Sequence, residues 1–328
     1  MADNNKTEFE NYIVFDLEWN QCPFGKEREN RKLPFEIIEI GAVKLNKNKE
    51  VIDEFHRIIR PMVYKKLHFR TREIIGMNIQ TLEDGGFFYK VIKDFLLWCG
   101  ENPVYSTWGS MDLTELQRNM KYYGLLELLE GPILFFDVQK LFSIAFEDGK
   151  SRKALEYGID HLNIQKKRDF HRALSDAYYT ADVLGLIDDE IINKNYSIDC
   201  YQNPKSKEEE IFAVFDRYSK NISREFKTKE DAMKDREISS TRCFLCEKNA
   251  RKKIRWFSIN SKNYYCIAQC PKHGYLKGKV RMKKTDEGRF YVVKTLKLTD
   301  EKEVAAIQEK QEMTRRKRRE KRRGGKLR

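Results

Sequence analysis

At 328 residues the chain is long enough for two domains, and 40% hydrophobic and 12% aromatic residues supply a packed core, which excludes a disordered polar chain. The formal net charge of +13 is unevenly spread: residues 1–204 carry 27 Lys+Arg against 33 Asp+Glu (−6), and residues 205–328 carry 37 against 18 (+19). Residues 1–10 lack a basic start and an apolar run, and no stretch approaches eighteen apolar residues, so neither a secretory leader nor a membrane partner is expected.

In chain order, residues 12–19 (YIVFDLEW) read as a buried strand carrying two carboxylates, followed by a polar loop at 20–34. Residues 35–46 and 51–60 alternate apolar and polar positions as two strands around an NKNKE hairpin, closed by Pro61. Helical spacing of Phe88, Ile92, Phe95, Leu96 and Cys99 predicts a helix over 84–99. A short strand at 103–108, a helix at 111–124 and a buried strand at 133–138 come next. Further helices run to Asn163, and one long helix is predicted over 172–194. A meander followed by alternating strands and helices predicts a mixed α/β sheet flanked by helices in a domain spanning 1–203.

Asn203, Pro204 and the run KSKEEE mark the domain boundary, and a charged helical linker is expected over 204–240. Residues 241–299 contain strand-like segments at 255–259, 263–268, 275–284 and 289–297, a small β-rich domain. A helical or disordered basic tail, 300–328, begins with Asp300 and Glu303 at capping-box spacing and carries ten basic residues and one acid between Arg315 and Arg328.

Asp16 and Glu18 project from one side of their strand, where ionised groups are costly unless they are paired or bind a metal. Asp112 follows a strand and a turn, where it could equally cap the helix that begins there. In DFHRALSDA, His171 falls where a loop meets a helix and Asp176 lies about one turn inside it. Hydrolysis of a phosphodiester needs an activated water and a neutralised leaving oxygen, which two divalent ions held by oxygen ligands can supply. A histidine titrating near neutrality suits the role of general base.

The segments FDLEW, WGSMDLTEL and HRALSDA resemble, in order and separation, the three motifs of the DEDDh exonucleases, a family with an RNase H-like fold. EIIEIGAVKL and IIGM fit the same pattern, and the 20–34 loop and WGSMD look most like the branch holding the histone-mRNA 3′-exonuclease and KapD-like proteins. The resemblance covers roughly residues 10–195. It implies that Asp16, Glu18, Asp112 and Asp176 ligate two magnesium or manganese ions with His171 as base. It also implies that Leu17, through its backbone or side chain, and Ile75 and Met77 contact the terminal nucleotide.

Four of the seven cysteines crowd between Cys243 and Cys270. With a reducing, cytoplasmic location expected (nuclear if the host is eukaryotic), they read as ligands of one structural zinc rather than as disulfides. Cys243, Cys246, Cys270 and His273 fit two knuckles of like spacing, and Cys266 is the alternative fourth ligand. Around them Arg251, Lys252, Lys253, Arg255, Lys277, Lys279, Arg281, Lys283 and Lys284 alternate with Trp256, Phe257, Tyr264, Tyr265 and Tyr275. That mixture suits phosphate contacts and base stacking on single-stranded nucleic acid, or an ordinary solvated face over an aromatic core. The expected function is a 3′→5′ exonuclease that releases 5′-mononucleotides, on RNA in preference to DNA. The alternatives are a DNA proofreading or repair exonuclease and a non-catalytic adaptor that binds nucleic acid, a ribosome or an RNA–protein partner.

Overall fold

The structure is a computed structural model that describes residues 10–76 and 78–324, with side chains through Glu320. The chain divides into two compact units, Met1–Tyr201 and Gln202–Arg328. Among the described residues, each unit has a six-stranded sheet.

In the first unit, β1 (Tyr12–Gln21), β2 (Phe35–Leu45) and β3 (Val51–Ile58) form an antiparallel meander. Helices α1 (Phe69–Ile75), α2 (Ile79–Glu83) and α3 (Phe88–Cys99) lead to β4 (Val104–Thr107), which lies parallel to β1. After α4 (Met111–Tyr122), β5 (Leu134–Asp137) adds parallel to β4. Helices α5 (Val138–Phe146), α6 (Leu155–His161), α7 (Ala173–Leu186) and α8 (Asp189–Lys194) precede a short antiparallel edge strand, β6 (Ser197–Ile198). The order β3-β2-β1-β4-β5-β6 is a mixed sheet flanked by helices, the expected fold class.

β1 feeds two cores by simple alternation. Ile13, Phe15 and Leu17 pack with Phe88, Phe95, Leu113 and Leu116, whereas Tyr12 and Val14 pack with Val138, Phe142, Tyr179 and Val183. Asp16 and Glu18 continue the second row, toward the side occupied by α7. α7 lies directly on β2 because residue 41 is glycine: a Cβ there would sit 2.0 Å from the Leu174 nitrogen and 2.1 Å from the Ala173 carbonyl carbon. The single helix expected over 172–194 is broken, since Ile187 is extended and Asp188 caps a new helix by accepting from the Glu190 N–H.

The second unit contains β7 (Ile211–Val214), β8 (Tyr218–Ile222), α9 (Lys229–Lys234), α10 (Arg236–Ser239), β9 (Arg251–Ser258), β10 (Asn263–Cys270), β11 (Gly274–Lys284), β12 (Phe290–Thr299) and α11 (Glu301–Gly324). The sheet is antiparallel, in the order β7-β8-β12-β11-β10-β9. The helical linker expected over 204–240 is therefore corrected. β7 and β8 are a hairpin closed by the Phe215 N–H donating to the Tyr218 carbonyl, and pairing with β12 outweighs the local charge that suggested a helix. Asp300 caps α11 by accepting from the Glu303 N–H at 2.8 Å.

The aromatic residues interleaved with the basic ones are part-buried and pack against the cores on the two faces of the sheet. Trp256 and Tyr264 pack on one face with Val280, Met282 and Val292. Phe257, Tyr265 and Tyr275 pack on the other with Ile254, Ile267 and the α11 residues Val304 and Ile307. Strand alternation sends successive aromatics to opposite faces, and each face has its own cover.

Candidate active site and cysteine cluster

Asp16 and Glu18 on β1 and Asp176 on α7 each offer a carboxylate oxygen, and these oxygens lie within 4.8 Å of one another. Asp112, at the start of α4, lies outside that set but borders it. Its Oδ1 accepts from the Leu17 N–H at 3.3 Å, so it is tied to the backbone between the two β1 carboxylates. His171 is exposed and precedes α7 with φ +63, a left-handed conformation that few non-glycine residues adopt. Its N–H donates to Asp176 Oδ2 at 3.1 Å, and Asp176 Oδ1 is buried with no hydrogen-bond partner.

Burial, reinforced by the neighbouring negative charges, pushes the carboxyls up. Glu18 reaches about 8, with Asp176, Glu39 and Asp112 adding to burial. Asp112 reaches about 7, burial outweighing hydrogen bonds from its own N–H and that of Leu17. Asp176 reaches about 6, burial outweighing the His171 contacts. Asp16 is held well above its ordinary value by burial and then by Asp112, Glu18 and Asp176. Converging acids that resist ionisation, with one oxygen unsatisfied, fit a hard divalent cation, which takes oxygen ligands and supplies the missing positive charge.

Glu39, fully buried on β2 opposite Glu18, belongs to this neighbourhood although sequence reading did not single it out. It accepts from His56 Nε2 at 2.7 Å and from Arg172 at 3.1 Å through Nη2 and 3.3 Å through Nε. Burial raises its carboxyl, but the bonds and charges of His56 and Arg172 outweigh it and leave Glu39 below its ordinary value. The available signal was a carboxylate inside the apolar run EIIEIG, at a position facing Glu18.

One residue expected at the nucleotide end is placed elsewhere. The Ile75 side chain is 5% exposed and packs with Ile38 and Leu82; helical rotation turns Ile74 outward instead. Leu17 is 3% exposed and its side chain belongs to the core beneath the sheet, while its N–H donates to Asp112 Oδ1. Met77 lies outside the described residues.

In the second unit, Cys243, Cys246, Cys270 and His273 bring four ligand atoms within 4.8 Å of one another. Cys243 Sγ lies 3.4 Å from His273 Nδ1, and Cys246 Sγ lies 3.6 Å from Cys270 Sγ. At Cys270 burial is outweighed by backbone N–H bonds from His273 and Lys272 and by Cys246 and His273, and the thiol falls to about 6. A thiol disposed to ionise beside two others and an imidazole is a donor set suited to tetrahedral zinc. Cys266 is not in the group. It is fully buried against Gly278, and burial pushes its thiol up to about 12.

Residues 13–184, all in the first unit, match the family RNase_T, described as an exonuclease. The chain is 26% identical over 185 residues to the probable 3′-5′ exonuclease KapD of Bacillus subtilis (strain 168), covering 54% of this chain and 84% of that protein. It is 28% identical over 183 residues to the PolC-type DNA polymerase III of the same organism, covering 56% of this chain but 12% of the polymerase. Among solved structures, the nuclease domain of 3′hExo, a DEDDh family member bound to rAMP, aligns with a TM-score of 0.47 at 19% identity, covering 55% of this chain and 92% of that one.

Proposed function

This chain belongs to the RNase_T exonuclease family, and we propose that it is a metal-dependent 3′→5′ exonuclease acting on single-stranded ends, of RNA in preference to DNA. The observation that carries the reading is the convergence of Asp16, Glu18 and Asp176, with Asp112 alongside and His171 held against Asp176 by its backbone.

Asp16, Glu18, Asp112 and Asp176 would hold two magnesium or manganese ions, which when bound supply an activated water and positive charge at the leaving 3′-oxygen. His171, exposed at the rim, takes the proton from the attacking water. The Leu17 backbone and the residues following α1 receive the terminal nucleotide, whose bond to the chain breaks to release a 5′-mononucleotide. Arg172, fixed by Glu39, sets a positive charge beside Glu18 and favours its ionised form. In the second unit, Cys243, Cys246, Cys270 and His273 hold one structural zinc, and the basic surface draws nucleic acid in. The setting is cytoplasmic.

A DNA substrate is the second reading, favoured by the similarity to the PolC-type polymerase. Digestion of matched RNA and DNA oligonucleotides with manganese tests both. Faster loss of RNA supports the first reading, faster loss of DNA the second, and no metal-dependent loss of either removes both.

A further inference from the structure

The second unit has a sheet face that collects positive charge and carries no carboxylate on its strands. Along β11 the even positions Leu276, Val280 and Met282 point into the two cores, so Lys277, Lys279, Arg281 and Lys283 point the other way. On β12, Val292 and Leu296 are core residues, so Thr295 and Lys297 lie on the same outer face. The register puts Lys277 directly opposite Lys297, Lys279 opposite Thr295, and Thr295 opposite Lys220 of β8. Six cations thus share three adjacent strands, and none of the outward strand positions from β7 to β10 is Asp or Glu.

Acidic residues are not scarce in this unit; they are used elsewhere. Glu225 pairs with Lys205 and Arg289, Glu210 and Asp235 with Arg224, and Glu247 with Arg242. On the outer face Lys277 pairs with Glu303 from α11, and Lys283 lies over the Tyr291 ring. The side chains of Lys279, Arg281 and Lys297 are exposed and make no hydrogen bond or ion pair among the described residues. Glu303 lies between Lys277 and Lys297 and offsets the repulsion of that cross-strand pair, but it leaves Lys279 and Arg281 without an acid. A strand face with exposed cations and no carboxylate of its own is complementary to a polyanion.

Resting on the reading that the substrate is nucleic acid, we propose that this β11–β12 face binds the nucleic-acid backbone through phosphate contacts, without reading base identity. Lys277, Lys279 and Arg281 succeed one another at about 6.7 Å along the strand, a regular row for an extended phosphate chain. Tyr265, Tyr275 and Phe257 pack against the core on this face and are only part-exposed, so the exposed cations Lys279, Arg281 and Lys297 are the groups that reach farthest into solvent. Exposed Arg315, Arg316, Lys317, Arg318 and Arg319 on α11 add further positive charge to the unit.

The test uses the full, zinc-loaded chain with Asp16→Asn, so that RNA stays intact, and the same chain carrying Lys279→Gln, Arg281→Gln and Lys297→Gln. Affinity for labelled oligouridylate and oligoadenylate is measured by anisotropy across a salt series. Each phosphate contact adds roughly 0.7 to the slope of log K against log salt, so the triple variant is expected to lower the slope by about 2, equally for both oligomers. An unchanged slope overturns the proposal, as does a loss confined to one base type. If the triple variant loses zinc or its melting transition, Lys297→Gln alone carries the test, with an expected slope change of about 0.7. Hydrolysis of the p-nitrophenyl ester of uridine 5′-monophosphate, with Asp16 intact, tests the catalytic reading separately. It is expected to be the same with and without the three glutamines.

Discussion

Arg172 donates to the fully buried carboxylate of Glu39 at 3.1 Å, and Glu39 stands directly across the β1–β2 ladder from Glu18. The guanidinium at the head of α7 is thereby fixed beside the carboxylate cluster, where its charge lowers the Glu18 carboxyl against burial and its acidic neighbours. Arg172→Met removes that charge, so Glu18 holds its proton to higher pH. The acidic limb of the pH profile of kcat/KM at fixed manganese is expected to move upward, with a smaller change on the plateau. An unshifted limb would mean that Arg172 acts only as a structural pin.

Gly41 controls the height of α7 above the sheet. Gly41→Ala puts a Cβ into the Leu174 and Ala173 backbone, so α7 must lift and take Asp176 with it. Overpacking of this kind costs about 1–3 kcal/mol, and misplacing one ligand should lower turnover about 100-fold. Thermal melts with manganese titration check both effects; a melt shift without loss of manganese affinity would separate packing from the site.

Stability of the metal-free protein should depend on pH in the opposite sense to ordinary salt-bridged carboxylates. Glu18, Asp112 and Asp176 are raised to about 8, 7 and 6, so from pH 4 to 8 the folded chain binds more protons than the unfolded one. Their stabilising contribution is present at low pH and is lost as pH rises through the folded values. Once metal ions are stripped, melting temperature is expected to fall over this window, and manganese should restore more at pH 8 than at pH 5.5. A melting temperature that rises steadily with pH, without metal, would contradict the raised values.

His171 separates chemistry from binding. Asparagine tolerates the left-handed backbone at this position, so His171→Asn should fold, keep the N–H bond to Asp176 and bind metal. Without the imidazole, single-turnover rates are expected to fall about 10²- to 10⁴-fold. Wild-type rates would assign proton removal to another group.

Zinc content distinguishes the cysteines. Cys270→Ser should lose the single zinc and destabilise the second unit, whereas Cys266→Ala should retain zinc and lose only packing. Metal analysis alongside melting checks the pair.

Much of this architecture was legible because it is local. Asp16 and Glu18 interrupt an apolar strand at spacing two, and the knuckle spacing around Cys243 and Cys270 is read directly from the chain. What was missed depends on partners distant in sequence. Glu39 reads as an ordinary strand residue until Arg172 and His56 are brought to it, and β7 and β8 read as a charged helix until β12 offers them a ladder. Ile74 and Ile75 differ only in helical phase, and packing against Ile38 decides which is buried. The basic and aromatic alternation was visible in sequence, but the packing of its aromatic half against two separate cores depends on strands and a helix brought from elsewhere in the chain.

The most direct measurement follows one oligoribonucleotide labelled at its 3′ end and, separately, at its 5′ end, with manganese, without divalent metal, and with Asp16→Asn. Immediate release of the 3′ label as a mononucleotide and stepwise shortening of the 5′-labelled strand are expected. Both should vanish without metal and with Asp16→Asn. Internal fragments as first products, or undiminished cleavage by Asp16→Asn, would contradict it.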